Sequence, residues 1–506
     1  MAGEVAYFLR NTLKLQAGDR VGIISPNSTL YSSLALGIIR AGCACVTLNP
    51  IYSPEELEHP IVDSDIKVIF THPSILGNVR EAWSKSKRSF KLPSDQNPIW
   101  LIDDSDWVLS QKTGEKDFRT ALTSNELGVV PVNPEEDLAF IVYSSGTSGK
   151  PKGVMLTHKN MIFGTDTFAK VSFGEFGPGH TAIAILPFFH IFGLNFFTMA
   201  AFMTGTRVVV MPRFEVEVFC AAVQHFRASM AIIVPPILLA LARHPAVSKY
   251  DISTLKVGLS GAAPLGPELC EEAQKRLPGF LISQGYGLSE TAPVALRATK
   301  DQHRKNLGTA GKVVPHIQIR LVNHEGVDVA HDQGSDGKPG EIWIRGPAVM
   351  KGYLNNETAT KETITEDGWL KTGDIAIIKN GLFFIVDRMK ELIKYKGFQV
   401  SPAELEDMLL AHPKIQDCAV IGVYVKDEAT ELPRAYVVPK ADAIDLKSSS
   451  QHEQDRLRKE ILDWFNPQVA NHKKLRGSVV FITEIPKSAS GKILRRVLRD
   501  KANGKN

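Results

Sequence analysis

The chain has 506 residues, of which 43% are hydrophobic and 23% are charged, so it is long enough for two to four domains with large buried cores. These fractions exclude disorder as the main state, and they exclude a collagen-like or coiled-coil fibre. Lys and Arg number 59 against 55 Asp and Glu, and the resulting net charge of +4 is no signature of nucleic-acid binding by itself.

Short apolar strands alternate with helical patterns over most of the chain. Residues 4–15 place Val5, Phe8, Leu9 and Leu13 on one helical face, and Gly18-Asp19 ends that helix. The alternation that follows predicts βα units and mainly parallel sheets, which makes this an α/β protein. The predicted buried strands are Val21–Ile24, Val68–Phe70, Ala139–Val142, Ala182–Leu186, Val208–Val210, Ala231–Val234 and Lys256–Leu259.

The apolar stretch from Ala182 to Met203 is long enough to span a bilayer. Pro187 and Gly193 interrupt it, and no Lys/Arg-rich flank supports a membrane topology. A buried strand followed by a buried helix gives the same hydropathy in a large α/β core. We favour that interpretation, with an integral membrane protein as the alternative.

The pattern changes towards the C-terminus. Ile317–Leu321 and Glu341–Arg345 alternate like half-exposed antiparallel strands, which predicts a small β subdomain. Further on, Ser401-Pro-Ala-Glu404 is a capping box with Pro at the first helical position. Two strands within 415–438 and an amphipathic helix over 451–465 complete a separate α+β unit. We therefore predict an N-terminal domain over 1–389 and a mobile C-terminal domain over 390–506.

The strongest local signal is Tyr143-Ser-Ser-Gly-Thr-Ser-Gly-Lys-Pro-Lys-Gly153, directly after a predicted strand. Its glycines permit tight turns with amide donors facing a ligand, its hydroxyls add donors, and its two lysines add positive charge. That composition suits a polyphosphate. It is not a Walker A loop, because Pro151 follows Lys150 where a Ser or Thr is needed. A mobile surface loop is the less favoured alternative.

Gln284-Gly-Tyr-Gly-Leu-Ser-Glu-Thr291 is a second candidate segment, again after an apolar strand. Its glycines allow close approach to a flat ring on which Tyr286 can stack. Glu290 could hold a magnesium ion through oxygen, and Thr291 could bond a phosphate. Alone the segment is a weak signal, since such turns are common.

Three further features are ambiguous taken singly. Asp374 and Arg388 suit a ribose diol, although a surface ion pair explains them as well. Lys492 follows a Ser/Gly turn and can act as a mobile point charge. His190 stands in an apolar run, where a lone histidine is usually a core residue.

Together and in this order, the motifs resemble the adenylate-forming superfamily of acyl-CoA synthetases, luciferases and peptide-synthetase adenylation domains, from about residue 4 to residue 500. Ser260-Gly-Ala-Ala-Pro-Leu265 and Lys390-Glu-Leu-Ile-Lys-Tyr-Lys-Gly-Phe-Gln-Val400 are most similar to the 4-coumarate–CoA ligase-like branch. The resemblance implies a two-step reaction that uses ATP, Mg²⁺ and coenzyme A. A carboxylate attacks the α-phosphate of ATP to give acyl-AMP and pyrophosphate, and the thiol of coenzyme A then takes the acyl group and releases AMP.

The resemblance also implies roles by position. It makes Lys492, His190, Thr147 and Glu290 catalytic, Glu290 the magnesium ligand and Lys390 the hinge. Coenzyme A would contact Arg213, Lys396 and Gly397. The acyl pocket would be lined by His190, Phe192, Phe196, Leu259, Gly287, Val294 and Ala295. The nucleotide would be bound by Ser144, Ser145, Gly146, Thr147, Ser148, Lys150, Lys152, Ala262, Gln284, Gly285, Tyr286, Ser289, Thr291, Asp374, Arg388, Lys390, Lys394 and Lys492.

Two departures from the family pattern stand out. The chain starts at what resembles the second element of the family fold, so we expect an initial segment to be missing. Phe192 and Phe196 stand where hydroxycinnamate-selective members tend to carry hydroxyl side chains, which favours an apolar aryl or medium-chain fatty acid.

Alternative functions are a luciferase-like oxygenase, a carrier-protein loader and a catalytically silent acyl-adenylate binder. Lys394-Tyr-Lys-Gly397 favours coenzyme A as acceptor, and the joint presence of Glu290, Asp374, Arg388 and Lys492 argues against a silent binder. We expect a monomer or homodimer that binds no nucleic acid. Scattered cysteines and a C-terminus without Ser-Lys-Leu predict a cytoplasmic location, with a peroxisomal one left open.

Overall fold

The computed structural model describes residues 1–86, 97–104, 115–144, 151–171, 176–329, 337–396, 398–425 and 430–504. Its first sheet is built on five parallel strands, β5-β2-β1-β3-β4, with β6 antiparallel at the edge of β5. These strands are β1 (Arg20–Ile24), β2 (Ala44–Leu48), β3 (Ile66–Thr71), β4 (Ile99–Leu101), β5 (Leu138–Ser144) and β6 (Lys152–Thr157). The helices of this region are α1 (Ala2–Tyr7), α2 (Tyr31–Arg40), α3 (Pro54–Asp63), α4 (Leu76–Lys85) and α5 (His158–Val171), and a π-helical turn (Phe8–Thr12) extends α1.

The second sheet has the order β13-β12-β11-β10-β9-β7-β8, parallel from β11 to β8 and antiparallel at β12 and β13. Its strands are β7 (Thr181–Ala184), β8 (Arg207–Val210), β9 (Met230–Ile233), β10 (Val257–Ser260), β11 (Leu281–Tyr286), β12 (Leu296–Arg297) and β13 (Lys312–Val313). Its helices are α6 (Ile191–Asn195), α7 (Ala201–Thr204), α8 (Val216–Phe226), α9 (Pro235–Arg243), α10 (Pro267–Arg276) and α11 (Lys300–Lys305).

The stretch from Ala182 to Met203 is thus a strand followed by a helix, with a π-helical turn (Phe196–Ala200) joining α6 to α7. The strand and most of the helix are packed into the core, whereas Phe202 and Met203 at the end of the stretch are exposed. In the described ranges, no helix combines the length and the hydropathy that crossing a bilayer requires.

A four-stranded antiparallel sheet follows, with the order β14-β15-β17-β18. It confirms the small β subdomain predicted from alternation. Its strands are β14 (Gln318–Val322), β15 (Gly340–Arg345), β17 (Leu370–Lys379) and β18 (Leu382–Arg388). Between them, β16 (Gly352–Tyr353) joins the edge of the first sheet beside β6, and α12 (Glu357–Thr363) follows it.

The C-terminal unit has its own sheets and its own hydrophobic core. A two-stranded sheet pairs β19 (Ile393–Tyr395) with β20 (Phe398–Val400), and a three-stranded sheet contains β21 (Ile415–Val425), β22 (Thr430–Pro439) and β23 (Val479–Phe481). Its helices are α13 (Pro402–Leu410), α14 (Gln451–Phe465) and α15 (Arg495–Ala502). Ser401 caps α13 by accepting a hydrogen bond from the Glu404 amide, as the capping-box sequence predicts.

A buried ion pair ties α15 to the C-terminal core. Arg495 donates to both carboxylate oxygens of Glu406 at 2.7 Å and to the carbonyl of Val420 at 3.2 Å. Both side chains are nearly buried, at 13% and 11% exposure. Burial raises the pKa of the Glu406 carboxyl, and the Arg495 charge opposes that rise. Removing the arginine alone would leave an uncompensated buried carboxyl.

We predict that Arg495→Met destabilises the C-terminal unit by about 3 kcal/mol, because breaking a buried pair costs more than the pair contributes. Hydrogen exchange of the amides in β21 measures this without interference from the N-terminal sheets. Arg496→Met is the matched control, since Arg496 is 77% exposed and should cost less than about 0.5 kcal/mol. Adding Glu406→Gln to Arg495→Met should restore part of the protection, and equal effects of the two single variants would contradict the assignment.

Candidate active site

The carboxyl ends of parallel strands bring the predicted segments to one cleft, as is general for open α/β sheets. Strands β10 and β11 are parallel neighbours with Ser260 opposite Gln284, so the loops that follow both strands lie together. These loops and the end of β5 at Ser144 border a cleft of about 2300 Å³. The C-terminal unit closes another side of the same cleft through α13 and the segment around Lys492.

Asp374 and Arg388 face each other across β17 and β18. The guanidinium Nε of Arg388 lies 3.1 Å from Oδ1 of Asp374, and the Tyr286 hydroxyl donates to Oδ2 of Asp374 at 2.8 Å. Burial raises the pKa of the Asp374 carboxyl, and Arg388 acts in the opposite direction. The pair is therefore part of the cleft wall and is not the surface ion pair that the residues alone allowed.

A tight hairpin of the C-terminal unit carries Lys492 into the cleft. The Ser488 amide donates to the Lys492 carbonyl at 2.8 Å, and Gly491 between them has a φ of +79°. A Cβ on Gly491 would lie 2.9 Å from Cγ2 of Val234, which follows β9. Glycine at this position therefore satisfies both the turn and its close approach to the second sheet.

The environment of the cleft lowers the pKa of two side chains, Lys492 and His190. Burial, and then the nearby Arg388 charge, lower the pKa of Lys492 to about 8, while Asp374 and Glu290 oppose the shift. Burial, and then Lys492, lower the pKa of His190 to about 3. Nδ1 of His190 accepts from the Phe192 amide at 3.4 Å, so the neutral ring carries its proton on Nε2. His190 thus lies at the site and is not an isolated core residue.

Glu290 is held by Tyr353, which is distant from it in the sequence. The Tyr353 hydroxyl donates to Oε1 of Glu290 at 2.8 Å, and the Lys152 ammonium lies 4.8 Å from the centroid of the Tyr353 ring. No cluster of three or more His, Cys, Asp or Glu side chains suited to a metal occurs in the part of the chain that the structure describes. A single carboxylate fits Mg²⁺, which commonly binds through one or two carboxylates together with substrate phosphates.

The residues predicted to bind the nucleotide divide into those that line the cleft and those that lie behind its surface. Gln284 lines the cleft, but its amide also holds two loops together, accepting from the Leu265 amide at 2.6 Å and donating to the Gly308 carbonyl at 3.0 Å. Thr291 is fully buried, and its hydroxyl is bonded to the backbone of Leu288. The other predicted residues that line the cleft are Ser144, Lys152, Ala262, Gly285, Tyr286, Ser289, Asp374, Arg388, Lys390 and Lys492.

The predicted acyl-pocket residues also divide into two layers. Phe192, Leu259, Gly287 and Val294 line the cleft beside His190, together with Leu239 and Phe168, which the sequence did not indicate. Phe196 and Ala295 are buried behind this wall. The Phe196 ring packs edge-on against Phe168 with centroids 5.2 Å apart. The surface offered to a ligand here is mainly apolar and aromatic.

Asn195 is a buried polar residue behind this wall whose role was not indicated by the sequence. Its Nδ2 donates to Thr165 at 3.2 Å and to the Ala292 carbonyl at 3.4 Å, and its Oδ1 has no partner among the described residues. It does not line the cleft. Its place next to Phe196 in an otherwise apolar sequence gave no signal of a structural amide.

The predicted coenzyme A residues lie away from the cleft. Arg213 is 84% exposed and pairs with Glu215. The Lys396 ammonium lies over the Tyr395 ring. Lys394, which was predicted to bind the nucleotide, is exposed and does not line the cleft either. Six predicted residues, Ser145, Gly146, Thr147, Ser148, Lys150 and Gly397, lie outside the described residues.

Two family models match this chain. The model described as AMP-binding enzyme covers residues 1–354, and the AMP-binding enzyme C-terminal domain covers residues 404–492. The chain belongs to the AMP-binding enzyme family. Its relatives include a probable 4-coumarate–CoA ligase 1 of Dictyostelium discoideum, 38% identical over 97% of this chain and 87% of the relative. The probable CoA ligase CCL5 of Humulus lupulus is 38% identical over 98% and 86%. The resemblance inferred from the motifs is thereby confirmed.

A solved structure with this fold is ATP-bound MatB from Rhodopseudomonas palustris. It is 26% identical, with a TM-score of 0.82 over 100% of this chain and 93% of that one. The apo structure of the same protein gives a TM-score of 0.72 at the same coverage. The overall arrangement of this chain is therefore more similar to the ATP-bound form than to the apo form.

The lowered pKa of Lys492 predicts a pH dependence of acyl-AMP formation. Below about pH 8 the ammonium is charged, and above it the cation is lost, so kcat/KM for ATP should fall with rising pH through that value. Lys492→Arg keeps the charge at all working pH values. The alkaline limb should therefore move upward or vanish in that variant, whatever its absolute rate. A limb at the same pH in both proteins would assign the titration to another group.

Proposed function

We propose that this cleft condenses an apolar carboxylic acid with ATP to give acyl-AMP, and that the enzyme then passes the acyl group to coenzyme A. The observation that carries the proposal is the meeting of Lys492 from the C-terminal unit with Asp374, Arg388 and Glu290 in one cleft. A carboxylate and a triphosphate repel each other, so the reaction needs charge neutralisation and alignment more than a covalent nucleophile.

Each charged group has a distinct task in this proposal. The Lys492 ammonium lies between the acid carboxylate and the α-phosphate and offsets the charge that develops between them. The Asp374 carboxylate accepts from the ribose hydroxyls, oriented by Arg388 and Tyr286. Glu290, fixed by Tyr353, would hold Mg²⁺, which when bound neutralises phosphate charge.

His190 contributes shape and a hydrogen-bond donor but no charge in this proposal. With a pKa of about 3 its imidazole stays neutral beside the Lys492 cation. A protonated ring there would repel Lys492, so the low pKa preserves the cation where it is needed. The ring also lines the cleft beside the apolar residues Phe192 and Leu259.

The second step requires a different arrangement of the two units. Arg213 of the N-terminal part and Lys396 of the C-terminal unit both lie outside the present cleft, so coenzyme A would meet the two at the acyl group only if the C-terminal unit turned. Exposed Lys390, between the antiparallel sheet and the C-terminal unit, is the proposed hinge and the boundary of the domains 1–389 and 390–506. The higher TM-score to ATP-bound MatB supports the present arrangement as the one for acyl-AMP formation.

The acyl pocket favours an apolar acid over a phenolic one in this proposal. Phe192, Leu259 and Val294 present apolar surface to the cleft, and the buried amide of Asn195, whose Nδ2 bonds to Thr165 and Ala292, does not line it. A hydroxyl placed against that wall would lose its water without gaining a partner. Each buried methylene of an aliphatic acid should instead add about 0.8 kcal/mol until the pocket is full.

The experiment is a pyrophosphate-release assay that compares kcat/KM for cinnamate, 4-coumarate, hexanoate and octanoate on one preparation. We predict that 4-coumarate is disfavoured against cinnamate by about 5- to 150-fold, from the roughly 1–3 kcal/mol of an unpaired hydroxyl. The kcat/KM for octanoate should exceed that for hexanoate, because octanoate buries more methylene groups. A tenfold or greater preference for 4-coumarate over all the others would contradict the apolar assignment, and no pyrophosphate release with any acid would contradict the proposed reaction.

A further inference from the structure

Arg243, the last residue of α9, bridges the two units at a distance from the reacting groups. Its Nη2 donates to the Leu410 carbonyl at 2.7 Å, and its Nη1 donates to the carbonyls of Ile415 at 2.8 Å and Gln416 at 3.0 Å. All three acceptors belong to the C-terminal unit. The side chain is only 15% exposed, so these bonds are largely shielded from water.

The acceptors are carbonyls that the C-terminal unit does not satisfy fully by its own secondary structure. Leu410 ends α13, where the last carbonyls have no helical partner and carry the negative end of the helix dipole. Gln416 is the extra residue of a bulge in β21, since Ile415 pairs with Pro439 and Asp417 with Val438. Arg243 therefore completes the hydrogen bonding of the C-terminal unit from the other side of the interface.

Glu272 on α10 orients the guanidinium. Its two oxygens accept from Nε and Nη2 of Arg243, each at 2.8 Å, in a bidentate pair. The planar fork of Arg243 thus faces Glu272 with one edge and the carbonyls with the other, a geometry that lysine cannot reproduce. The arrangement is built from both units and exists only in this relative orientation.

The contacted segment leads directly to the hairpin of Lys492. Asp417 follows the bulge at Gln416, and its carboxylate forms an ion pair with Lys487. Lys487 pairs with Ile493 at the base of the hairpin, next to Lys492. A short run of fixed contacts therefore connects the Arg243 bridge to the ammonium that enters the cleft.

Near this bridge, α10 packs against α13 with two acidic side chains close together. Burial, and then the neighbouring Glu268 carboxylate, raise the pKa of Asp407 to about 9. Gly266 makes room for Asp407, since a Cβ there would overlap Oδ1 of that residue. Two neighbouring carboxyls at this interface repel each other unless one is protonated, so this pair is a poor candidate for the contact that stabilises the present orientation of the two units. The Arg243 hydrogen bonds stabilise that orientation instead.

Given the proposed function, we propose that Arg243 is a positioning residue that holds the C-terminal unit in the closed orientation, the one in which Lys492 lies in the cleft. It touches no reacting group. Its loss should lower the fraction of closed molecules and slow acyl-AMP formation. Conversion of supplied acyl-AMP to the thioester needs the other orientation and should not be slowed.

The first test measures orientation directly. All five native cysteines are buried, so exposed Lys305→Cys and Lys459→Cys can be labelled selectively for distance measurements between the units. We expect Arg243→Met to lower the ratio of closed to open molecules by about 10- to 100-fold, as the loss of several charge-assisted hydrogen bonds implies. Arg243→Lys should recover part of the closed population. An unchanged distance distribution in Arg243→Met would overturn the proposal.

The second test separates the two half-reactions. Arg243→Met should reduce kcat for acyl-AMP formation in proportion to the lost closed population and leave thioester formation from supplied acyl-AMP within about twofold of the wild type. Arg276→Met is the matched control, because Arg276, which lies on α10 with Glu272, donates to Ser248 within the N-terminal part. Equal losses in both half-reactions would indicate a general folding defect and overturn the positioning role.

The two proposals fail differently. If the wild type forms no acyl-AMP from any acid, the proposed function is wrong, while the label distances still decide whether Arg243 holds the closed orientation. If the wild type is active and Arg243→Met matches it in both half-reactions and in label distance, only the positioning role is wrong. Glu272→Gln supplies an independent variant, which should show a smaller loss in the same direction as Arg243→Met.

Discussion

The structure of the cleft depends on one electrostatic interaction, in which a lysine of the C-terminal unit lies beside an Asp–Arg pair of the N-terminal part. Lys492 reaches the cleft on a hairpin, and the Asp374–Arg388 pair is presented by two antiparallel strands. Burial disfavours the Lys492 cation, and Arg388 disfavours it further. Asp374 and Glu290 offset part of that cost, so the ammonium stays charged up to about pH 8 and can act on an incoming anion.

Other features of the fold bring this charge to the cleft. The parallel strands of the second sheet end at the cleft and supply loops rather than side chains of their own interior. Gly491 lets the hairpin come within contact of Val234, which seats the C-terminal unit against the second sheet. The very low pKa of His190 removes a competing cation from the same space. Contacts within the C-terminal unit, including the buried Arg495–Glu406 pair, fix the hairpin relative to the core of that unit.

Much of the fold could be predicted from sequence because buried parallel strands are apolar runs bounded by loops. All seven predicted strands of the two large sheets are present within one or two residues, as are β14 and β15 of the antiparallel subdomain and β21, β22 and α14 of the C-terminal unit. Strands β19, β20 and β23 and helix α15 were not predicted. Strand β2 (Ala44–Leu48) was not predicted, although Gly42, with a φ of +75°, separates it from helix α2. The antiparallel strand β6 was missed because its start, Lys152, was interpreted only as part of a phosphate loop. Family motifs found the residues of the cleft, whereas physical patterns alone left Asp374, Arg388 and His190 ambiguous.

Interactions with backbone atoms are the part that sequence could not predict. Arg243 bonds to three carbonyls, and a carbonyl carries no sequence signal of its own. The buried amide of Asn195 and the support that Tyr353 gives to Glu290 likewise depend on contacts between distant segments. These contacts are set by how the sheets and the C-terminal unit pack, which the periodicity of single elements does not specify.

The most direct measurement of the central claim compares the two half-reactions of Lys492→Ala with those of the wild type. Loss of one preorganised charge should slow acyl-AMP formation by about 10²–10³, or roughly 3–4 kcal/mol, while supplied acyl-AMP is still converted to the thioester. Pyrophosphate exchange at the wild-type rate in Lys492→Ala would contradict the claim that this ammonium drives the first step.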